Sequence, residues 1–194
     1  MWNLPNLLTL SRILMIPVFV ALFYLSVSWN HKAAALVFMA AAFTDWLDGY
    51  LARRMGLVSP LGAFLDPVAD KLMVATALVL VVADNPQVWL AVSAAVIIGR
   101  EITISALREW MAELGNRAKV VVSWVGKFKT AAQMTAITLL IYRHDLLGLP
   151  VYKAGTWLLY IAVVLTLWSM TVYLIAAWPL LSGREKTSSS PEVS

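Results

Sequence analysis

Long apolar runs alternate with short polar islands along the chain, and each island falls near one end of a run. Six helical spans follow from this pattern, at about 6–28, 33–54, 62–83, 86–109, 124–142 and 155–181. About 20 apolar residues cross a bilayer, and the run from Ala154 to Gly183 carries no charge over 30 residues. Pro60, Pro86 and Pro150 fall between spans, where turns and helix starts accept them, and Pro17 is expected to kink the first span. The predicted fold is an all-α integral membrane protein, a bundle of six transmembrane helices.

The islands then orient the bundle. Arg12 lies near the start of span one; Asp45, Asp48, Arg53 and Arg54 lie near the finish of span two. Asp66, Asp70 and Lys71 open span three, Arg100, Glu101, Arg108 and Glu109 close span four, and Lys127 and Lys129 open span five. In an up-down bundle this alternation puts every charged end on one side. Of the 15 Lys and Arg, only Lys32, Arg143 and Lys153 lie on the other side. Basic residues favour the cytoplasmic face, so both termini and the charged layer are expected in the cytoplasm, at the inner membrane. Trp29, Trp89, Trp110, Trp157 and Trp178 fall near span ends, as an interfacial belt would have them.

Composition agrees. The chain is 61% hydrophobic and 13% charged, with a mean hydropathy of +0.78, whereas soluble domains are about 25% charged. Absence of cysteine excludes disulfides, thiolate catalysis and thiolate metal sites. The opening segment lacks a basic n-region and a small-residue cleavage site, and is read as a retained span. One domain is expected over 1–183, followed by a polar, disordered cytoplasmic tail over 184–194.

Residues 45–70, "DWLDGYLARRMGLVSPLGAFLDPVAD", place four aspartates in this apolar setting. Asp45 and Asp48 are spaced i, i+3, and Asp66 and Asp70 i, i+4, so each pair shares a helix face. A short turn between two antiparallel spans brings the pairs level at the membrane surface. Four carboxylates so placed repel one another unless protons or cations compensate them. Oxygen ligands without His or Cys suit Mg²⁺ or Mn²⁺, and four acids suffice for two ions that clamp phosphoryl oxygens. The plainer reading pairs the acids with Arg53, Arg54 and Lys71 for packing or topology. A proton or cation relay in a transporter is a further reading, disfavoured because the acids sit at span ends rather than at the midplane.

The same residues carry the pattern D-x2-D-G-x2-A-R-x8-G-x3-D-x3-D, eight fixed positions over 26 residues starting at Asp45. This matches, without gap or substitution, the signature of the CDP-alcohol phosphotransferase family. The resemblance implies an enzyme that displaces CMP from a CDP-linked lipid or alcohol with an acceptor hydroxyl. It also implies two Mg²⁺ or Mn²⁺ ions, a cytoplasmic-side active site and a homodimer. Asp45, Asp48, Asp66 and Asp70 are then the metal ligands, and Asp70 is also the general base. Gly49, Ala52 and Arg53 are expected to contact the CDP moiety, with Ser59, Asn6 and Thr9 as further CDP contacts. Independently of the resemblance, Gly49 and Ala52 remove bulk beside Asp48, and Arg53 offers a donor fork suited to phosphate. Gly62 permits close packing of spans two and three.

Three further islands, "PNLLTLSR", "GREITISALRE" and "GKFKTAAQ", resemble segments of the bacterial phosphatidylglycerophosphate synthases, one branch of that family. The implied reaction joins CDP-diacylglycerol and sn-glycerol 3-phosphate to give phosphatidylglycerophosphate and CMP. A phosphorylated acceptor needs cations, and Arg12, Arg100, Arg108, Lys127 and Lys129 are the candidates. The plainer reading of these cations is topology or binding to anionic headgroups. A sibling enzyme using inositol phosphate or serine stays open. Glu101 is read as a partner for Arg100, and His31 and His144 receive no role.

Overall fold

A computed structural model describes residues 4–55, 60–113, 124–146 and 148–182. The described chain forms six α-helices: α1 (Leu4–Tyr24), α2 (Asn30–Met55), α3 (Pro60–Asp84), α4 (Val88–Glu113), α5 (Trp124–Tyr142) and α6 (Val151–Leu181). No strand occurs among the described residues. The tail, 184–194, lies outside them.

Helix ends differ from expectation where the apolar pattern hides a turn. The first span was expected to run to residue 28, yet α1 stops at Tyr24. Ser26, Val27 and Ser28 are poor helix formers set in an apolar run. Asn30 caps the stop by donating its side-chain amide to the Phe23 carbonyl, 3.2 Å. At α6 the helix starts earlier, at Val151, because Pro150 supplies the first helical acceptor to the Ala154 amide at 3.1 Å.

The helices run alternately up and down, and side-chain contacts at both ends fix this. At one end Arg12 of α1 meets Asp48 of α2 and Asp70 of α3, while Lys129 of α5 meets Glu101 of α4. At the other, Asp84 of α3 pairs with Arg143 after α5, and Asn85 donates to the Tyr152 hydroxyl of α6. α1 packs on α2 and α3, α5 on α2 and α6, and α4 on α3 and α6.

Apolar packing fills the half away from the charges. Phe19, Phe23 and Phe38 interlock there, with ring centroids 6.2 and 6.1 Å apart. Ala34, Ala35, Ala77, Ala94 and Ala136 are buried between helices, and small side chains let helix axes come close. Gly155 marks a close approach of α6 to α5: a Cβ there would meet the Leu139 Cβ at 2.9 Å and the Ala136 carbonyl at 3.2 Å.

The outer faces are apolar too. Trp157, Val164, Trp168, Ile175 and Trp178 are all exposed along α6, a surface suited to hydrocarbon rather than water. Segments of α1, α2, α4 and α6 are long and apolar enough to cross a membrane. The sequence pattern treats α3 and α5 alike with these, and both carry charged and polar residues of the site. Asp66, Asp70 and Lys71 lie on α3, and Lys127, Lys129 and Gln133 on α5.

Candidate active site

Spacing on three helices builds one polar centre. Asn6, Thr9 and Arg12 recur every three residues on α1, so they share a face, and all three are buried. That face meets the aspartates of α2 and α3. The Arg12 guanidinium lies at their focus: Nη1 is 2.6 Å from Asp70 Oδ1 and 3.0 Å from Asp45 Oδ1, and Nη2 is 2.6 Å from Asp48 Oδ2. Thr9 donates its hydroxyl to Asp66 Oδ1. All four aspartates are thus held against α1.

Exposure separates the acids. Arg12 and Asp48 are 1% and 3% exposed, whereas the Asp45 and Asp70 side chains are 43% and 44% exposed. Asp45 Oδ1 and Asp70 Oδ1 share one nitrogen, Arg12 Nη1. Asp48 is therefore a buried anchor, and Asp45 and Asp70 face outward into a cavity. Three carboxylates share one guanidinium, so negative charge is in excess. Arg12 Nε is buried without a partner.

The cavity has a volume of about 440 Å³ and lies between α2, α3, α4 and α5. Asp45, Asp70 and Lys71 line one side; Glu101, Lys129 and Gln133 line another; Met73, Ile98, Ile102 and Met134 supply apolar wall. Lys129 is buried, and its Nζ donates to Glu101 Oε1 at 3.1 Å. Arg100 donates to the same oxygen through Nη1 at 2.8 Å, and to Ser169 Oγ through Nη2 at 3.1 Å. Two cations on one carboxylate leave this wall with positive charge in excess.

The remaining sequence-derived candidates separate clearly. Gly49 sits on α2 directly after Asp48. Arg108 lies outside the cavity, exposed, with its guanidinium 5.9 Å from the centre of the Tyr173 ring. Ala52 and Arg53 belong to α2 and Lys127 to α5. Their side chains, and Ser59 altogether, lie outside the described residues. His31 and His144 stand together at the opposite end of the bundle, rings 6.3 Å apart.

Asn6, Thr9 and Arg12 were expected at CDP or at the acceptor phosphate; all three are buried, and Thr9 and Arg12 bond to the aspartates. Two cavity residues have no site role in the sequence reading. Lys71 had been read only as a counterion for the acids. Gln133 was given no role, although its i, i+4 spacing from Lys129 places both on one face of α5.

Could divalent cations be held here? The donor set fits them: carboxylate oxygens only, from adjacent helices, with negative charge to spare. Among the described residues no three carboxylates or imidazoles are arranged as a ready cation cage. The Arg12 guanidinium instead takes the focal position.

Comparison with known sequences decides the family. The profile described as CDP-alcohol phosphatidyltransferase matches residues 2–168. The chain belongs to the CDP-alcohol phosphatidyltransferase family. Curated relatives agree with this membership. A CDP-diacylglycerol–glycerol-3-phosphate 3-phosphatidyltransferase of Escherichia coli (strain K12) is 56% identical over 176 residues, covering 91% of this chain and 95% of the relative. Proteins of the same name from Shigella sonnei (strain Ss046) and Shigella flexneri serotype 5b (strain 8401) are 56% and 55% identical over the same length. Family membership makes the enzyme reading of the aspartate cluster the relevant one, and the transporter reading falls away.

Proposed function

We propose that this protein transfers the phosphatidyl group of CDP-diacylglycerol to sn-glycerol 3-phosphate, giving phosphatidylglycerophosphate and CMP. One observation carries the reading beyond the relatives' names: a single cavity is bounded by carboxylates on one wall and by Lys129 on another. Phosphoryl transfer to a phosphorylated acceptor needs both.

Asp70 is the general base. Its carboxylate is exposed to the cavity, in position to take the proton from the acceptor's primary hydroxyl. The freed oxygen attacks the phosphorus that bears the diacylglycerol oxygen. A new P–O bond forms, the P–O bond to CMP breaks, and CMP departs with the bridging oxygen. Asp45, Asp48, Asp66 and Asp70 would hold divalent cations, Mg²⁺ or Mn²⁺. When bound, such ions neutralise charge on the pyrophosphate and on the leaving CMP. Lys129, held by Glu101, binds the acceptor phosphate; Arg100 braces Glu101 from the far side. Gly49 leaves space for the CDP moiety beside Asp48, and Arg53 supplies it with phosphate donors.

All six helices span the inner membrane, with both termini and the cavity on the cytoplasmic side. The excess of basic residues at that end supports this orientation. The apolar wall of the cavity and the apolar outer faces suit a substrate whose acyl chains stay in the bilayer.

The test is direct. Purified protein is given labelled CDP-diacylglycerol, Mg²⁺ and a panel of acceptors, and CMP release is scored. Turnover with glycerol 3-phosphate and little with serine or inositol phosphate is expected. Preference for another acceptor would replace the assigned reaction by that of a sibling enzyme.

A further inference from the structure

Gln133 is a polar cavity side chain that the reaction above leaves unused. Gln133 is 5% exposed, lines the cavity, and stands one helical turn beyond Lys129 on α5. Its Oε1 is enclosed and has no hydrogen-bond partner. Buried amides are almost always satisfied, and an orphaned acceptor is destabilising. Its flanks are apolar: Ala132 and Ala136 are buried on the same helix, and Met134 lines the same cavity. An apolar side chain of equal length would pack there without that penalty, so packing alone does not account for an amide. A primary amide offers two donors and one acceptor, the set that recognises a hydroxyl.

Three other cavity groups are already committed. Glu101 is bonded to Arg100 and Lys129, Lys129 faces the acceptor phosphate, and Asp70 faces the reacting hydroxyl. Glycerol 3-phosphate has one group left over, its secondary hydroxyl. We infer that Gln133 is a specificity-determining residue that hydrogen-bonds the acceptor's non-reacting hydroxyl. This inference rests on the acceptor assigned above. It explains how an acceptor with a vicinal hydroxyl is told apart from a simple phosphorylated alcohol. Sites built to bond a substrate hydroxyl reject the analogue that lacks it, because their own polar group is left unpaired.

The experiment pairs two acceptors, glycerol 3-phosphate and 3-hydroxypropyl phosphate, which lacks only the secondary hydroxyl. For the unaltered protein we expect kcat/KM to be about tenfold lower with the second, the scale of one hydrogen bond. In Gln133→Met, glycerol 3-phosphate should lose about tenfold while 3-hydroxypropyl phosphate is unchanged, so the preference vanishes; KM for CDP-diacylglycerol should not move. Equal use of both acceptors by the unaltered protein overturns the inference and needs no variant. A variant that loses both activities in the same proportion also overturns it, because that is the mark of a structural role. Absence of CMP release from either acceptor in the unaltered protein overturns the assigned reaction, and this inference with it.

Discussion

The guanidinium of Arg12 lies 2.6 Å from the carboxylate of Asp48, and both side chains are almost closed to solvent. The contact ties the start of α1 to the end of α2 across 36 residues of sequence. An ion pair so enclosed adds little net stability while intact, but removing one partner strands the other charge. Arg12 serves three acids at once, so its loss strands all of them. Arg12→Gln should destabilise the protein by about 3–5 kcal/mol, the usual scale for breaking a buried pair. Arg12→Lys should restore only part of this, since an ammonium lacks the planar fork that reaches Asp45, Asp48 and Asp70 together. Unfolding of the detergent-solubilised variants by heat or denaturant is the measurement.

A related outcome concerns divalent cations. With Arg12 present the cluster already holds one positive charge, so the protein should stay folded in excess chelator while losing activity. Mg²⁺ or Mn²⁺ should restore turnover. In Arg12→Gln the acids have no internal counterion, and the melting temperature should rise more steeply with added Mg²⁺ than in the parent. Melting curves across a metal titration check this separately from turnover. Unchanged activity in chelator would remove the metal from the proposed chemistry.

Asp70 faces the cavity, as Asp45 does and Asp48 does not, and it is the base of the proposed reaction. Asp70→Asn should lower kcat by at least 10²–10⁴-fold, the usual worth of a positioned base. Binding of a CDP-linked nucleotide should persist, measured by calorimetry or by retention on a CDP resin. A variant with near-full turnover would exclude Asp70 as base.

Lys129 is enclosed and positioned by Glu101, so the two should act on the same substrate. Lys129→Met should raise KM for glycerol 3-phosphate about 10–100-fold, the range for a lost charged hydrogen bond, with KM for CDP-diacylglycerol little changed. Glu101→Gln should shift the acceptor KM in the same direction by less, because Lys129 remains but is less firmly held. Initial-rate kinetics varying each substrate in turn distinguishes these effects. Equal effects on both substrates would count against an acceptor-phosphate role. Arg108, exposed and over Tyr173, should matter far less.

The α5–α6 contact gives a stability prediction remote from the chemistry. A methyl group at position 155 would come within 2.9 Å of the Leu139 Cβ, which cannot swing away as a side-chain tip can. Gly155→Ala should destabilise by about 1–3 kcal/mol through overpacking, with both KM values unchanged.

Much of this arrangement is legible in the linear sequence. The apolar runs and their charged ends imply six alternating helices, and the spacing of the aspartates fixes their helix faces, because both are local periodicities. Partner choice is not local. Nothing in "PNLLTLSR" indicates that Arg12 reaches Asp48 and Asp70, 36 and 58 residues away. An arginine on an acid-binding face and one on a phosphate-binding face look alike in sequence. Glu101 could be assigned to Arg100 because they are neighbours, but its bond to Lys129 crosses 28 residues and appears only once α4 and α5 are packed. Gln133 is the extreme case, since its significance lies in a missing partner, and only a folded structure reveals that.

The two charged walls have a consequence for how a small molecule enters. Three acids around one arginine make one side of the cavity net negative, and two cations on Glu101 make the other net positive. Apolar surroundings concentrate the resulting field between them. A molecule with an anionic head and a neutral tail is turned by that field before it touches anything. In the proposed reaction its phosphate is drawn toward Lys129 with its hydroxyl left toward Asp70, and the reversed approach would bring the phosphate against the acids, which repel it.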